Sequence, residues 1–367
     1  MKYRFFLLIT ILILAVFGCQ EDVQIYRIGA VLPFKGEAEA YGRAVKSGLL
    51  LALDEINEKG INGKKLDILF EDEESNPEVA ARKTAEMISK NGVPLIIGGV
   101  TSNVALAMAP VCEKNKVVML SPTASSPKLT GAGQYIFRNY PSDTVEGRVM
   151  ADYAVRRMKI KSVAILYIDN EYGKGVTDVF TQEFKNLGGV IGAQQGYASG
   201  TADFTAAVKQ VKASNPDAIY LPGYYTEIAA VLKEIKKQKV PSKIISVEGI
   251  AEPMILEIAG DAADGVIYPQ PPYDSTSSNS EIRHFVNAYK AKFPTEPDID
   301  AAFAYDALKI VAKAIETSAK YPDDLRNRIA DTSLKGLTGD IAFNSGGDVD
   351  IQPRMFMIKD GRFQAIQ

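Results

Sequence analysis

The chain has 367 residues, with 42 Lys and Arg against 45 Asp and Glu, a formal charge of −3, and 46% apolar against 24% charged residues. These are ordinary globular values that exclude a disordered chain, and the mildly acidic balance excludes a nucleic-acid binder working by counterion release. One histidine, His284, and two cysteines, Cys19 and Cys112, leave no Cys/His zinc site and oblige any Ser-His-Asp triad to use His284.

The N-terminus carries Lys2 and Arg4, then an apolar run over 5–17 with Thr10 its only polar member. The run is too short for a bilayer span, which needs about 20 residues, and fits the apolar region of a signal peptide. It ends in Ala15-Val16-Phe17-Gly18-Cys19. A small residue followed by cysteine resembles the lipobox of bacterial lipoproteins, with 1–18 as signal peptide, Cys19 as the lipidated residue and 19–24 as a linker. The alternative is a plain secretory signal with a chance cysteine. Either way the mature chain is exported to the cell envelope, on the periplasmic side or at the cell surface. Without Lys2 and Arg4 it carries 40 basic against 45 acidic residues, a charge of −5. Two acyl chains on Cys19 would hold it stably on a membrane, and Cys112 would then be a lone thiol without a disulfide partner.

From residue 25 apolar runs alternate with amphipathic helical stretches. The runs cover 25–32, 66–70, 94–97, 117–120, 162–168, 190–193, 218–221, 243–247 and 265–268. Continuous apolar runs suit strands buried on both faces of a parallel sheet. Between two of them Val45, Leu49, Ala52, Leu53 and Ile56 share a helical face, and Gly60 follows as a stop. Tyr172, Val176, Val179, Phe180 and Leu187 form a second such face. Asn76-Pro77 reads as an N-cap with proline at the first helical position. Asp143-Thr144-Val145-Glu146 approaches a capping box. The alternation argues for an α/β fold with parallel-rich sheets. It restarts near 142 and is broken by the polar cluster 274–280. So many units exceed one compact sheet, so two Rossmann-like lobes with a cleft between them are expected. The pattern does not assign the last hundred or so residues to either lobe.

No P-loop, Gly-x-Gly-x-x-Gly, Gly-x-Ser-x-Gly or His-Glu-x-x-His motif is present. Gly98-Gly99 and Gly188-Gly189 read as turn glycines, and His284 as part of a solvated helix face. The chemistry concentrates elsewhere. The stretch 95–103 reads as strand, turn and helix start, with Ser102 at or near the N-cap and Pro110 inside the helix it opens, where a bend or restart is expected. Hydroxyl and free N–H groups there suit a carboxylate or phosphate. A second strand end, 117–120, leads into Ser121-Pro122-Thr123-Ala124-Ser125-Ser126-Pro127, where Ser125 or Ser126 could cap a further turn.

These segments carry a resemblance. Leu32-Pro33-Phe34-Lys35-Gly36 leading to Ala40-Tyr41-Gly42, then 98–103, 119–125, Asn170-Glu171-Tyr172-Gly173-Lys174-Gly175, Gly223-Tyr224-Tyr225-Thr226-Glu227 and Val247-Glu248-Gly249 are similar, in order and spacing, to the leucine/isoleucine/valine-binding proteins of ABC importers. The resemblance spans nearly the whole mature chain. It implies a type I periplasmic binding protein with two α/β lobes, three crossovers and a ligand cleft. Lobe 1 would take 23–142 plus 272–352, and lobe 2 would take 143–271 plus 353–367. The ligand's α-carboxylate would meet Ser102 and the Ser125 N–H. Its ammonium would meet Glu248, the Ser125 hydroxyl and the Thr123 carbonyl. Tyr41, Tyr172 and Tyr224 would line the cleft, with Tyr225 an alternative to Tyr224. A zwitterion leaving water needs such an anion site and cation site close together.

The implied function is a non-enzymatic receptor that captures an amino acid, branched-chain favoured, for an ABC permease and ATPase. The implied state is a monomer without cofactor, metal or nucleic acid. A sensor of the same fold, reading amides or small carboxylates for a signalling partner, is the alternative. Two departures stand out. Some family members carry a cysteine pair near the positions of Ser75 and Thr101, which this chain lacks. Branched-chain binders can place an aromatic residue near Asp300, and an aspartate there would enlarge or polarise the side-chain pocket.

Overall fold

A computed structural model describes residues 25–366. The leader, Cys19 and the linker therefore lie outside the described residues.

The first βα series is β1 (Ile25–Leu32), α1 (Glu39–Lys59), β2 (Lys65–Asp72), α2 (Pro77–Asn91), β3 (Leu95–Gly98), α3 (Ser102–Asn115), β4 (Val118–Ser121) and β5 (Ile136–Arg138). Its strands form one parallel sheet in the order β2-β1-β3-β4-β5. Every residue of β3 and β4 is buried, as a strand covered on both faces requires. The second series is α4 (Asp143–Arg156), β6 (Ser162–Ile168), α5 (Glu171–Asn186), β7 (Val190–Tyr197), α6 (Thr205–Ala213), β8 (Ala218–Leu221), α7 (Tyr225–Lys237), β9 (Lys243–Ser246), α8 (Met254–Ala259) and β10 (Ile267–Gln270). The C-terminal region adds α9 (Ser280–Lys292), α10 (Ile299–Thr317), α11 (Leu325–Ala330), the small hairpin β11 (Ser333–Gly336) and β12 (Gly339–Ala342), and the hairpin β13 (Arg354–Lys359) and β14 (Arg362–Ala365). The second sheet runs β14-β13-β10-β9-β8-β6-β7, with β13 antiparallel to β10 and β14 antiparallel to β13.

Three hydrophobic clusters follow from this topology: one, with Val31, Ala80, Met87, Ile96, Met108 and Met119, packs α2 and α3 on the first sheet, and the remaining two divide the C-terminal region. One joins Ile28, Leu32, Leu95 and Leu120 to Phe285, Phe303, Leu308 and Ile351. The other joins Val163, Ile165, Phe180 and Tyr220 to Phe356 and Ile358. The C-terminal region is thus divided. Helices α9 and α10 complete the first core, and only the last hairpin returns to the second.

Local chemistry explains the element ends. Asn76 accepts hydrogen bonds from the N–H groups of Glu78 (2.9 Å) and Val79 (3.1 Å), and Pro77 opens α2. Gly60 ends α1 with φ of 74°. Two expectations need correction. The cap of α4 is Ser142, which accepts from the Thr144 N–H at 3.2 Å, so Asp143 and Glu146 form no capping box. Both are buried, and the Glu146 carboxylate is engaged far along the chain. Helix α3 runs through Pro110, because that residue sits on the exposed side where water can serve the carbonyl left without a donor. Thr101 is the N-cap of α3 and Ser102 its first helical residue, beside the cap as expected.

Candidate functional site

The loops after β3 and β4 build one wall of a cavity. Gly98 ends β3, and Gly99 turns the chain with φ of +71°. A Cβ there would lie 2.7 Å from Ala105 of α3, so only glycine allows the helix to start so close to the strand. The turn places Thr101 at the N-cap without any side-chain cap bond, and the first N–H groups of α3 stay available. Ser102 is buried, and its Oγ accepts from the Ser126 N–H at 3.1 Å, which leaves its own proton free to donate. The neighbouring loop is tied down. Ser121 Oγ donates to the Gly99 carbonyl (2.8 Å) and accepts from the Ala124 N–H (3.1 Å), and Thr123 Oγ1 donates to the Val100 carbonyl (2.7 Å). Ser126 caps the turn Pro127–Leu129. Ser125 lines the cavity, its carbonyl accepting from the Asp143 N–H at 2.8 Å and its hydroxyl beside the Asp143 carboxylate.

The other wall comes from the second sheet's edge. Tyr172 is in the first turn of α5, Tyr224 is the N-cap of α7, and Glu248 begins the short turn Glu248–Ile250 after β9. Tyr172 and Tyr224 stack with centroids 5.4 Å apart and planes 14° from parallel. Tyr41, from α1, reaches across and donates from its hydroxyl to the Gly249 carbonyl at 3.2 Å. These groups line one small cavity, partly open to solvent. All seven ligand-binding residues expected from the sequence line it: Tyr41, Ser102, Thr123, Ser125, Tyr172, Tyr224 and Glu248. Tyr225 stands aside, its hydroxyl 3.8 Å from Met254 Sδ. His284 is exposed on α9, with Nε2 3.1 Å from Glu55, away from the cavity.

The electrostatics are one-sided. Burial pushes the Glu248 carboxyl up to about 7, helped by the charge of Asp298 and opposed by the Tyr140 hydroxyl beside it. Behind it, the Glu248 N–H donates to Glu146 Oε1 at 2.8 Å. Burial also raises Asp143 to about 7, against the Ser125 hydroxyl and the charge of Arg138. Glu146 and Asp300 are pushed well above the carboxylate range, first by burial and then by neighbouring carboxylates. Arg138 offers little relief. It is buried and gripped by Asp348 through two contacts, at 2.6 and 3.0 Å. The cavity therefore pairs a neutral donor edge at Ser102 and Ser125 with a carboxylate-rich edge at Glu248. Asp143, Glu146 and Asp298 were not read from the sequence as site groups, because their roles depend on contacts between distant segments. Among the described residues no group of His, Cys, Asp and Glu is arranged to hold a metal ion.

Two α/β lobes around a small cavity, with neutral donors on one edge and carboxylates on the other, define a two-lobed solute-binding protein. The chain belongs to the family described as "Periplasmic binding protein", whose profile matches residues 25–359. The Leu/Ile/Val-binding protein homolog 3 of Brucella melitensis is 31% identical over 303 residues, 81% of this chain and 80% of its own. A leucine-, isoleucine-, valine-, threonine- and alanine-binding protein of Pseudomonas aeruginosa is 27% identical over 327 residues, 88% of this chain and 87% of its own. Among solved structures, a leucine-binding protein from Thermotoga maritima superposes with a TM-score of 0.88 at 30% identity, covering 93% of this chain and 97% of that one. The branched-chain amino acid transporter substrate-binding protein of Streptococcus pneumoniae, solved with isoleucine, gives 0.86 at 26% identity, covering 94% and 99%.

Proposed function

We propose that the protein captures an amino acid outside the cytoplasm, branched-chain side chains favoured as in its relatives, and delivers it to the permease and ATPase of an ABC importer. One observation carries the reading: a single cavity sets the Ser102 and Ser125 donors opposite the Glu248 carboxylate. A zwitterion satisfies both edges at once, whereas a simple carboxylic acid leaves Glu248 buried without a partner. The α-carboxylate takes Ser102 and the Ser125 N–H. The ammonium takes Glu248, the Ser125 hydroxyl and the Thr123 carbonyl. Tyr41, Tyr172 and Tyr224 supply an apolar wall with polar tips. The hydrophobic clusters of the two sheets support lobes of 23–142 plus 272–352 and 143–271 plus 353–367. A thermal-shift screen of the mature protein against the amino acids tests the reading. A ligand at 100 times its Kd adds about 2.7 kcal/mol. A screen in which no amino acid raises Tm overturns it.

The closed arrangement itself is testable. A Cβ at Gly175, on α5, would come within 2.9 Å of the Pro127 ring, and Lys128 Nζ meets Glu171 Oε2 at 2.6 Å alongside. Gly175→Val should hold the lobes apart and weaken the ligand roughly tenfold, about 1.4 kcal/mol. The ligand-free Tm should stay within a few degrees of wild type. Unchanged affinity by calorimetry would show that this contact has no part in closure.

Membrane attachment rests on Cys19. Cys19→Ser should yield a protein that is exported but unanchored or unprocessed, read by detergent-phase partitioning. A serine variant that still enters the detergent phase counts against lipidation. A monomer in solution is expected of the unanchored chain.

A further inference from the structure

Asp300 gives the cavity a negative group that a zwitterion with an aliphatic tail does not use. It is the second residue of α10, only 7% exposed, and it lines the cavity. Its carboxylate receives no hydrogen bond from any described residue. The charges around it are all negative: Glu248, Asp298 and Glu252. Asp298 is engaged as the N-cap of α10, accepting from the Ala301 N–H at 2.8 Å. Arg138 is engaged by Asp348. The start of α10 favours an anion at this place without neutralising it. Asp300 and Tyr41 line the same cavity, and the Asp300 charge acts on the Tyr41 hydroxyl ahead of that of Glu248. With Ser102, Ser125, Thr123 and Glu248 assigned to the ligand's α-groups, Asp300 is the lining carboxylate left for its side chain.

We infer that Asp300 is a specificity-determining residue that accepts a hydrogen bond from the bound amino acid's side chain, so that the cavity takes a short side chain bearing an O–H or N–H donor ahead of its aliphatic isostere. The inference rests on the amino-acid reading above and departs from its preference for aliphatic branched chains. An aliphatic side chain seals Asp300 away from water with nothing in water's place, and a buried acceptor left unpaired is costly. A hydroxyl supplies the missing donor. An ammonium supplies a donor and also a counter-charge to the acidic cluster.

Two pairs of near-isosteric ligands test this by calorimetry on the mature protein: valine against threonine, and norvaline against 2,4-diaminobutyrate. In wild type at least one donor-bearing member should bind roughly 10- to 100-fold more tightly than its aliphatic partner. A threonine preference identifies the source as a hydroxyl, and a diaminobutyrate preference identifies it as an amine. In Asp300→Leu that ratio should fall to one or reverse, with the aliphatic ligands still bound. The ligand-free Tm of the variant checks its fold, and the wild-type ratios stand without it. Tighter binding of valine and norvaline in wild type overturns the inference and leaves the amino-acid reading intact. An equal loss for all four ligands in Asp300→Leu also overturns it, because it would place Asp300 at the shared ammonium. Failure of all four to bind wild type overturns the inference, and the amino-acid reading falls with it only when no amino acid raises Tm.

Discussion

Replacing Glu248 with Gln should weaken the cognate amino acid about 30-fold, or about 2 kcal/mol, at the lower end of the range for truncating a buried charged pair. The substitution keeps shape and one acceptor but removes the charge. Charge-assisted hydrogen bonds are roughly twice as strong as neutral ones, so the ammonium loses its strongest contact. The fold should survive, because the Glu248 backbone N–H keeps its bond to Glu146 and a buried negative charge is removed from beside Asp298 and Asp300. The loss should be selective. A des-amino analogue, which offers Glu248 no ammonium, should weaken far less. Calorimetry on both ligands against both proteins gives the double difference. Equal weakening of the two would remove Glu248 as the ammonium's partner.

Much of this site was legible in the sequence because it lies in loops between regular βα units. The strands 162–168 and 218–221 follow from apolar runs with the boundaries found in the structure. The Gly98-Gly99 turn and the serine-rich loop after β4 stand at adjacent strand ends, so a parallel sheet brings them together. The carboxylates behind Glu248 were not legible. Asp143 and Glu146 have the spacing of an ordinary helix start, and their significance comes from Glu248, 102 residues from Glu146 in the chain. Strand β5 is three residues long and gives no periodicity. The last hairpin, which turns at Asp360-Gly361, lies outside the apolar runs recognised in the sequence, yet it supplies two strands to the second sheet. Such edges are fixed by what they pack against, which a local pattern does not contain.

Affinity should fall steeply in acid. With no ligand bound, Glu248 holds its proton up to about pH 7, because burial penalises the charged form. An ammonium binds the charged form, so ligand binding must release that proton below pH 7. The sign follows: the binding contribution is present above pH 7 and is lost as pH falls through it. With one proton released, Kd rises tenfold per unit below the transition, and the ligand should bind about 50-fold more weakly at pH 5 than at pH 7. Stability of the ligand-free protein should move the opposite way. The folded state keeps protons on Glu248 and Asp143 that the unfolded chain gives up near its ordinary carboxylate range. Their contribution is full below that range and is lost as pH rises through about 7, so ligand-free Tm should drop by about 5 °C between pH 5 and pH 8. The groups facing Glu248 are Tyr140, Glu146, Asp298, Asp300 and Glu252, and several of them titrate with it. Glu248→Gln separates its share, since the variant's Kd should change little from pH 5 to pH 7. A wild-type Kd that is flat over that interval would show that the ammonium does not displace a proton from Glu248, and the cation edge of the cavity would have to be sought among its other carboxylates.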